Sequence, residues 1–135
     1  MSTQTHPKII LIGLAGSPEV PEHLKGKHGS PEEIAAKIRA DIARAENAGF
    51  RCTSFQIEPT EPEARLEELE VLLKTGNFDA VMFGAGVRLF PAYSILFETL
   101  VNLCRRHVPH VPFLFNNGPD TIYSGLRRAF PESNQ

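Results

Sequence analysis

The stretch DAVMFGAGVR at residues 79–88 decides the predicted fold. Its short, fully apolar run lies between two helical patterns, which is typical of a strand buried on both faces of a parallel sheet. The run ends at Gly84 and Gly86, which allow the backbone to turn sharply where the strand stops. Arg88 then places a permanent positive charge at the carboxyl edge, where open parallel sheets keep their ligand crevice. We therefore expect a site for a negatively charged or polar molecule at this edge.

Length and composition limit the class of protein. The 135 residues are 41% hydrophobic and 22% charged, which predicts a single α/β domain over 1–135, with 1–7 as a disordered tail. The net charge of −2 argues against nucleic-acid binding, and no apolar run reaches the roughly 20 residues of a membrane span. The apolar run that begins at Ile9 is too short for a signal peptide. Two distant cysteines are typical of buried thiols in a reducing compartment, so we expect a cytoplasmic protein.

Four apolar runs alternate with four helical patterns. Alternation of this kind predicts right-handed crossovers and a three-layer α/β fold, with helices on both faces of a parallel sheet. The second run mixes polar residues throughout, which an edge strand tolerates and a central strand does not. This favours the strand order 2-1-3-4 over 3-2-1-4. The predicted strands cover 9–15, 52–57, 80–83 and 111–115. The first two predicted helices run from the caps Ser30 and Thr60 to Gly49 and Gly76, and the other two cover about 91–107 and 119–130.

The ends of the first two helices carry recognisable signals. Ser30, followed by Pro31 and Glu33, has the spacing of a capping box, and Thr60 with Glu63 repeats it. Gly49 is placed to end the first helix in a left-handed conformation.

The favoured strand order reverses its direction of winding between the first and third strands, and ligands bind at such reversal points. The glycine-rich segments 13–17 and 84–88 flank this point. Segment 13–17 lacks the lysine of a nucleotide-triphosphate loop and the third glycine of a dinucleotide fingerprint, so tight turns explain its glycines equally well. The following segment, 17–30, is long enough to be a lid or a solvated loop.

Several side chains are candidates for the site at this edge. Arg88 is the predicted anion anchor, although it can also cover Phe90 or pair with Glu98. An acid–base reaction would use Glu98 or His28 as the base, unless Glu98 lies on the solvent side of its helix. The amides of Asn116 and Asn117 suit a ligand's carbonyls or hydroxyls. The structural alternative is that 116–119 forms a turn and that Asp120 or Asn117 caps the last helix. The predicted ligand-binding residues are Gly13, Gly16, Ser17, Gly84, Gly86, Arg88, Asn102, Asn116 and Asn117.

The third predicted helix, 91–107, has apolar residues on more than one stripe. A surface helix needs only one apolar stripe. Either other elements of the chain cover the second stripe, or the helix forms a homodimer interface.

By layout the chain resembles flavodoxin-like and Rossmann-like proteins, with four strands instead of five. The flavin, receiver and phosphocysteine signatures of such folds are not present in segments 13–17 and 84–88. The pattern from Gly84 and Arg88 through Glu98 and Asn102 to Asn116 is similar to that of small, uncharacterised bacterial α/β proteins. That resemblance implies no activity, but it marks Arg88, Glu98, Asn102 and Asn116 as a set that can form one polar cluster.

The sequence therefore predicts a small-molecule-binding protein, which as an enzyme would act by acid–base chemistry on a small anionic or carbonyl-containing substrate. The predicted site is the crevice between the first and third strands. The alternative is a non-catalytic interaction module that uses the helix 91–107 and the loop 17–30. The five histidines do not have the spacing of metal ligands, so we predict no metal site, and the sequence assigns no cofactor.

Overall fold

The structure, a computed structural model, describes residues 6–15 and 29–131. Within these residues, strands alternate with helices along the chain as the sequence predicts. The elements are β1 (Lys8–Leu14), α1 (Pro31–Asn47), β2 (Arg51–Ile57), α2 (Glu63–Thr75), β3 (Ala80–Phe83), α3 (Ala85–Leu89), a 3-10 turn (Pro91–Tyr93), α4 (Ser94–His107), β4 (Phe113–Phe115) and α5 (Ile122–Ala129).

The strands form one parallel sheet in the order β2-β1-β3-β4, so the predicted order 2-1-3-4 is confirmed. All four residues of β3 are buried, whereas polar residues of β2 such as Ser54 and Gln56 are exposed at the edge. A central strand has no face in water and must be apolar throughout, which explains the difference between the two sequences.

Helices cover both faces of the sheet and make the three-layer fold. On one face, the side chains of α1 and α5 pack with Ile9 and Met82 around Phe50. On the other face, α2 and α4 pack against Ile10, Ile12 and Phe83. Alternate residues of each strand serve the two layers because successive side chains in a strand point to opposite faces.

The boundaries of the helices and of β4 correct three details of the sequence prediction. The predicted helix 91–107 is preceded by the short helix α3 and by the 3-10 turn, and α4 itself begins at Ser94. Strand β4 has three residues, because 111–112 lie in the preceding turn. Helix α5 begins at Ile122, not at residue 119, because the segment 116–121 forms a turn with its own hydrogen bonds.

Of the two predicted capping boxes, the first is confirmed and the second is wrong. Ser30 Oγ accepts from Glu33 N at 3.2 Å, and Glu33 Oε1 accepts from Ser30 N at 2.7 Å. Near the second helix, Thr60 Oγ1 donates to Glu58 Oε2 at 3.2 Å instead, and α2 begins three residues later. Gly49 has φ +100°, the left-handed conformation predicted for the end of α1.

The two cysteines are both free thiols. Cys104 is buried in the α2/α4 layer, and Cys52 is half-buried on β2. Burial raises the pKa of the Cys104 thiol to about 12. Burial, and to a smaller extent the charge of the nearby Glu46 carboxylate, raises the pKa of the Cys52 thiol to about 11. Over residues 6–15 and 29–131, no helix has the length and apolar character that a membrane crossing requires.

Candidate ligand site at the carboxyl edge of the sheet

The last row that pairs β1, β3 and β4 joins Ile12, Phe83 and Phe115. The backbone pairing extends one residue further, because Gly84 N donates to Ile12 O at 2.8 Å and Asn116 N donates to Phe83 O at 3.2 Å. Gly13, Gly84 and Asn116 are therefore the next row, at the carboxyl edge where the sequence predicts the site. We call these three residues the terminal row.

Two of the three residues in the terminal row are glycines, which leaves bare backbone beside the Asn116 side chain. A Cβ on Gly84 would lie 3.3 Å from Ile12 O, so glycine allows close approach of the β3 end to β1. A Cβ on Gly13 would have no described heavy atom within 4 Å. The space next to Gly13 is open within the described part of the chain.

Arg88 lies on α3, directly after the buried Val87 that anchors this short helix to the core. Its Nη2 donates to the backbone oxygen of Asn116 at 3.0 Å, and its guanidinium carbon lies 5.7 Å from the centre of the Phe115 ring. The ring of Phe115 is stacked on Phe83, with 5.6 Å between their centres. The guanidinium is thus held at the end of β4.

This position bears on the alternatives for Arg88 and on the predicted place of the site. The guanidinium neither covers Phe90 nor pairs with Glu98 among the described contacts; it covers Phe115. It also lies one strand further from β1 than the predicted crevice between the first and third strands. The candidate site is therefore centred on the ends of β3 and β4, with Gly13 at its far side.

Two buried polar atoms at this edge have no hydrogen-bond partner among the described residues: Arg88 Nε and Asn116 Oδ1. Asn116 is only 8% exposed, and its Nδ2 donates to Gly118 O at 3.3 Å. Leaving a buried polar atom unpaired costs about 1–3 kcal/mol, so such atoms are rare in folded proteins. An unmet donor and an unmet acceptor thus belong to two residues that contact each other.

The segment that carries Asn116 is held in place by Asp41, a buried carboxylate on α1. Asp41 Oδ2 accepts from Ile122 N at 2.7 Å and from Tyr123 N at 2.9 Å, which caps the amino end of α5 from another helix. The prediction that Asp120 or Asn117 caps this helix is therefore wrong. Asp41 is 6% exposed.

Within the turn itself, Thr121 closes a small network. Its Oγ1 donates to Gly118 O at 3.0 Å and accepts from Asn117 N at 3.2 Å. The Asn117 side chain is exposed, and Asn117 thus contributes its backbone to the turn that positions Asn116.

Glu98 and Asn102 are exposed on α4, on the side opposite the buried Leu100 and Cys104. Of the two alternatives for Glu98, the solvent side of the helix is the one observed, because α4 uses its opposite face to pack on the sheet. Among the described ion pairs none joins Glu98 to Arg88. Of the predicted polar cluster, only Arg88 and Asn116 meet.

The remaining predicted site residues are placed as follows. A Cβ on Gly86 would contact the Leu14 side chain at 3.5 Å, so Gly86 faces the end of β1. Gly16, Ser17 and His28, together with most of the predicted loop 17–30, lie outside the described residues.

The wide apolar surface of α4 is largely explained by contacts inside the chain. Leu96, Phe97 and Val101 pack against the α2/α4 core cluster, and Phe97 makes an edge-on contact with Phe83 at 5.5 Å. Ile95 is the large apolar residue of this helix that stays exposed, at 80%. The homodimer through 91–107 stays a prediction.

No group of three or more histidine, cysteine or carboxylate side chains within 6–15 and 29–131 could hold a metal ion. No protein-family model matches the chain, and no curated protein sequence is significantly similar to it.

Proposed function

We propose that this protein binds a small anionic or polar molecule at the carboxyl edge of its sheet, with Arg88 as the anchor. The observation that carries the proposal is the Arg88 Nε–H group, which is buried and has no acceptor among the described residues. Open parallel sheets bind ligands at this edge, near the point where the winding reverses.

The fixed position of Arg88 supports the same conclusion. One of its nitrogens is held by Asn116 O, and the Phe115 ring lies beneath the guanidinium, so the side chain is ordered before any ligand arrives. A preordered guanidinium binds an oxygen anion without losing further side-chain entropy. Burial strengthens the interaction because less water competes with the ligand.

The proposal is for binding and does not extend to catalysis. Of the two predicted bases, Glu98 lies away from the site, and His28 lies outside the described residues. No carboxylate or imidazole in the described part of the chain hydrogen-bonds to Arg88 or Asn116.

The test is a calorimetric and thermal-shift titration with inorganic phosphate, propionate and propyl phosphate. We expect saturable binding of at least one anion by the wild type, and a loss of about ten-fold or more in affinity in Arg88→Gln, since a charged hydrogen bond contributes about 1.5–3 kcal/mol. Arg105→Gln, which removes an exposed arginine from α4, is the matched control and should bind as the wild type does.

Absence of binding for all three anions, or equal affinities of Arg88→Gln and the wild type, would reject Arg88 as the anchor. A protein partner that co-purifies with the chain in that case would favour the alternative of an interaction module.

A further inference from the structure

Asn116 adds a second requirement to the ligand. We infer that the ligand carries a hydroxyl or N–H donor beside its anionic group, and that Asn116 Oδ1 accepts a hydrogen bond from this donor. The inference rests on the proposed anion site. The chemical class is a small hydroxy- or amino-carboxylate, or a phosphate ester with a neighbouring hydroxyl.

The orientation of the Asn116 amide is determined by its neighbour. Its Nδ2 donates to Gly118 O at 3.3 Å, and a flipped amide would place two acceptor oxygens together. Oδ1 is therefore the atom that points away from the turn, and it is buried without a donor from the described residues.

The terminal row cannot supply the missing donor. The backbone N–H of Gly84 is already donated to Ile12 O, and that of Asn116 is donated to Phe83 O. Gly84 and Gly13 have no side chains. Because side chains alternate along a strand, the Asn116 side chain lies on the same face as Leu114, which packs in the α1/α5 layer. Gly13 lies on that face too, since it is two residues after Leu11 on β1. Within the described part of the chain a Cβ on Gly13 would meet no heavy atom within 4 Å, whereas a Cβ on Gly84 would lie 3.3 Å from Ile12 O.

The second requirement also follows from the connection between the two residues. Arg88 Nη2 binds the backbone oxygen of the residue whose side chain carries Oδ1. The residues that carry the unmet donor and the unmet acceptor are therefore joined by a hydrogen bond at the end of β4. The guanidinium lies over Phe115, whose side chain points to the other face of the sheet from that of Asn116, so the ligand has to reach both groups around the strand end. A ligand that offers an anionic oxygen to Arg88 and a neighbouring O–H to Asn116 satisfies both, whereas a simple anion leaves Oδ1 unpaired.

The experiment compares two pairs of probes that differ by hydroxyl groups: lactate with propionate, and glycerol 3-phosphate with propyl phosphate. In the wild type we expect the hydroxylated member of at least one pair to bind about five-fold tighter, the effect of one net hydrogen bond. In Asn116→Leu, the ratio of affinities within that pair should fall to about one, whatever the change in the affinity for the simple anion. Asn116→Asp keeps an acceptor oxygen but replaces the Nδ2 donor to Gly118 O by a second oxygen. The preference within the pair should be retained, with both affinities lowered by the weakened turn and by repulsion of the anion.

The outcomes separate this inference from the proposed function. Binding of a simple anion through Arg88 with no preference for the hydroxylated probe would overturn the inference and leave the anion site standing. No binding of any probe would remove both.

Two further results would also overturn the inference. One is an unchanged preference in Asn116→Leu. The other is a crystal structure with lactate in which only an ordered water contacts Oδ1. If Asn116→Leu fails to fold, the wild-type ratios and Asn116→Asp still decide the question.

Discussion

Removal of the Asp41 carboxylate tests how the edge of the sheet is built. In Asp41→Ala the amino end of α5 loses the acceptor of two backbone hydrogen bonds, at 2.7 and 2.9 Å, inside the protein. Hydrogen bonds to a charged group contribute about 1.5–3 kcal/mol each, and a lost cap of a single bond costs about 1 kcal/mol. The new alanine returns about 0.5 kcal/mol through its higher helix propensity. We therefore expect Asp41→Ala to lower the free energy of unfolding by about 3 kcal/mol.

The measurement is urea denaturation followed by circular dichroism, with the melting temperature as a second readout. A loss of about 3 kcal/mol corresponds to a decrease of roughly 10 °C in Tm for a domain of this size. Asp41→Asn keeps one acceptor oxygen without the charge and should lose about half as much. Glu46→Ala, which removes an exposed carboxylate from the same helix, is the control and should stay within about 0.5 kcal/mol of the wild type.

A free energy of unfolding for Asp41→Ala within about 1 kcal/mol of the Glu46→Ala control would refute the reasoning. It would mean that water or a local rearrangement replaces the carboxylate at the end of α5. The cap would then have no part in holding the turn that carries Asn116.

Three further predictions follow from the same structure. Cys52 and Cys104 should react slowly with a thiol reagent at pH 8 in the native state and fast in urea, because burial raises both pKa values; fast native labelling of both would contradict this. His107 Nε2 lies 2.8 Å from Glu70 Oε2, and this hydrogen bond lowers the pKa of the Glu70 carboxyl. The charged carboxylate therefore stabilises the fold above the unfolded-state pKa of Glu70, and the contribution is lost as the pH falls through the lowered folded-state pKa. Acid titration should therefore destabilise the wild type more than Glu70→Gln, and parallel curves would refute the pairing. Gly13→Ala should be as stable as the wild type or slightly more stable in urea, because the added methyl meets no heavy atom of the described residues within 4 Å and restricts the unfolded chain. A loss above about 1 kcal/mol would show that the space is filled.

The strand order could be predicted because the polarity of each strand's own residues indicates whether the strand is central or at the edge. Polar residues in β2 and the purely apolar β3 are local properties of the sequence, and they decide which strand is at the edge. The first capping box and the left-handed Gly49 are local in the same sense, since their partners lie within a few residues.

The partners of Arg88 and Asp41 could not be read from spacing, because both contacts are long-range. Arg88 reaches Asn116, 28 residues away, and Asp41 reaches Ile122, 81 residues away. One signal for Asp41 was present: it falls on the same helical stripe as Ile38 and Ala45, where a carboxylate must find a buried partner. The orientation of Glu98 could not be predicted, because α4 has apolar residues on several stripes and the sequence does not show which stripe packs on the sheet.

The most direct test of the site is an NMR titration of the protein that follows the Arg88 Nε–H resonance. Its buried N–H has no acceptor among the described residues, so a bound anion would give it one. The account predicts a large, saturable downfield shift with propionate or lactate, matching the affinity measured by calorimetry, and no such shift for the exposed Arg105 control. An Arg88 Nε–H resonance that stays unchanged while the anion binds elsewhere would contradict the central claim.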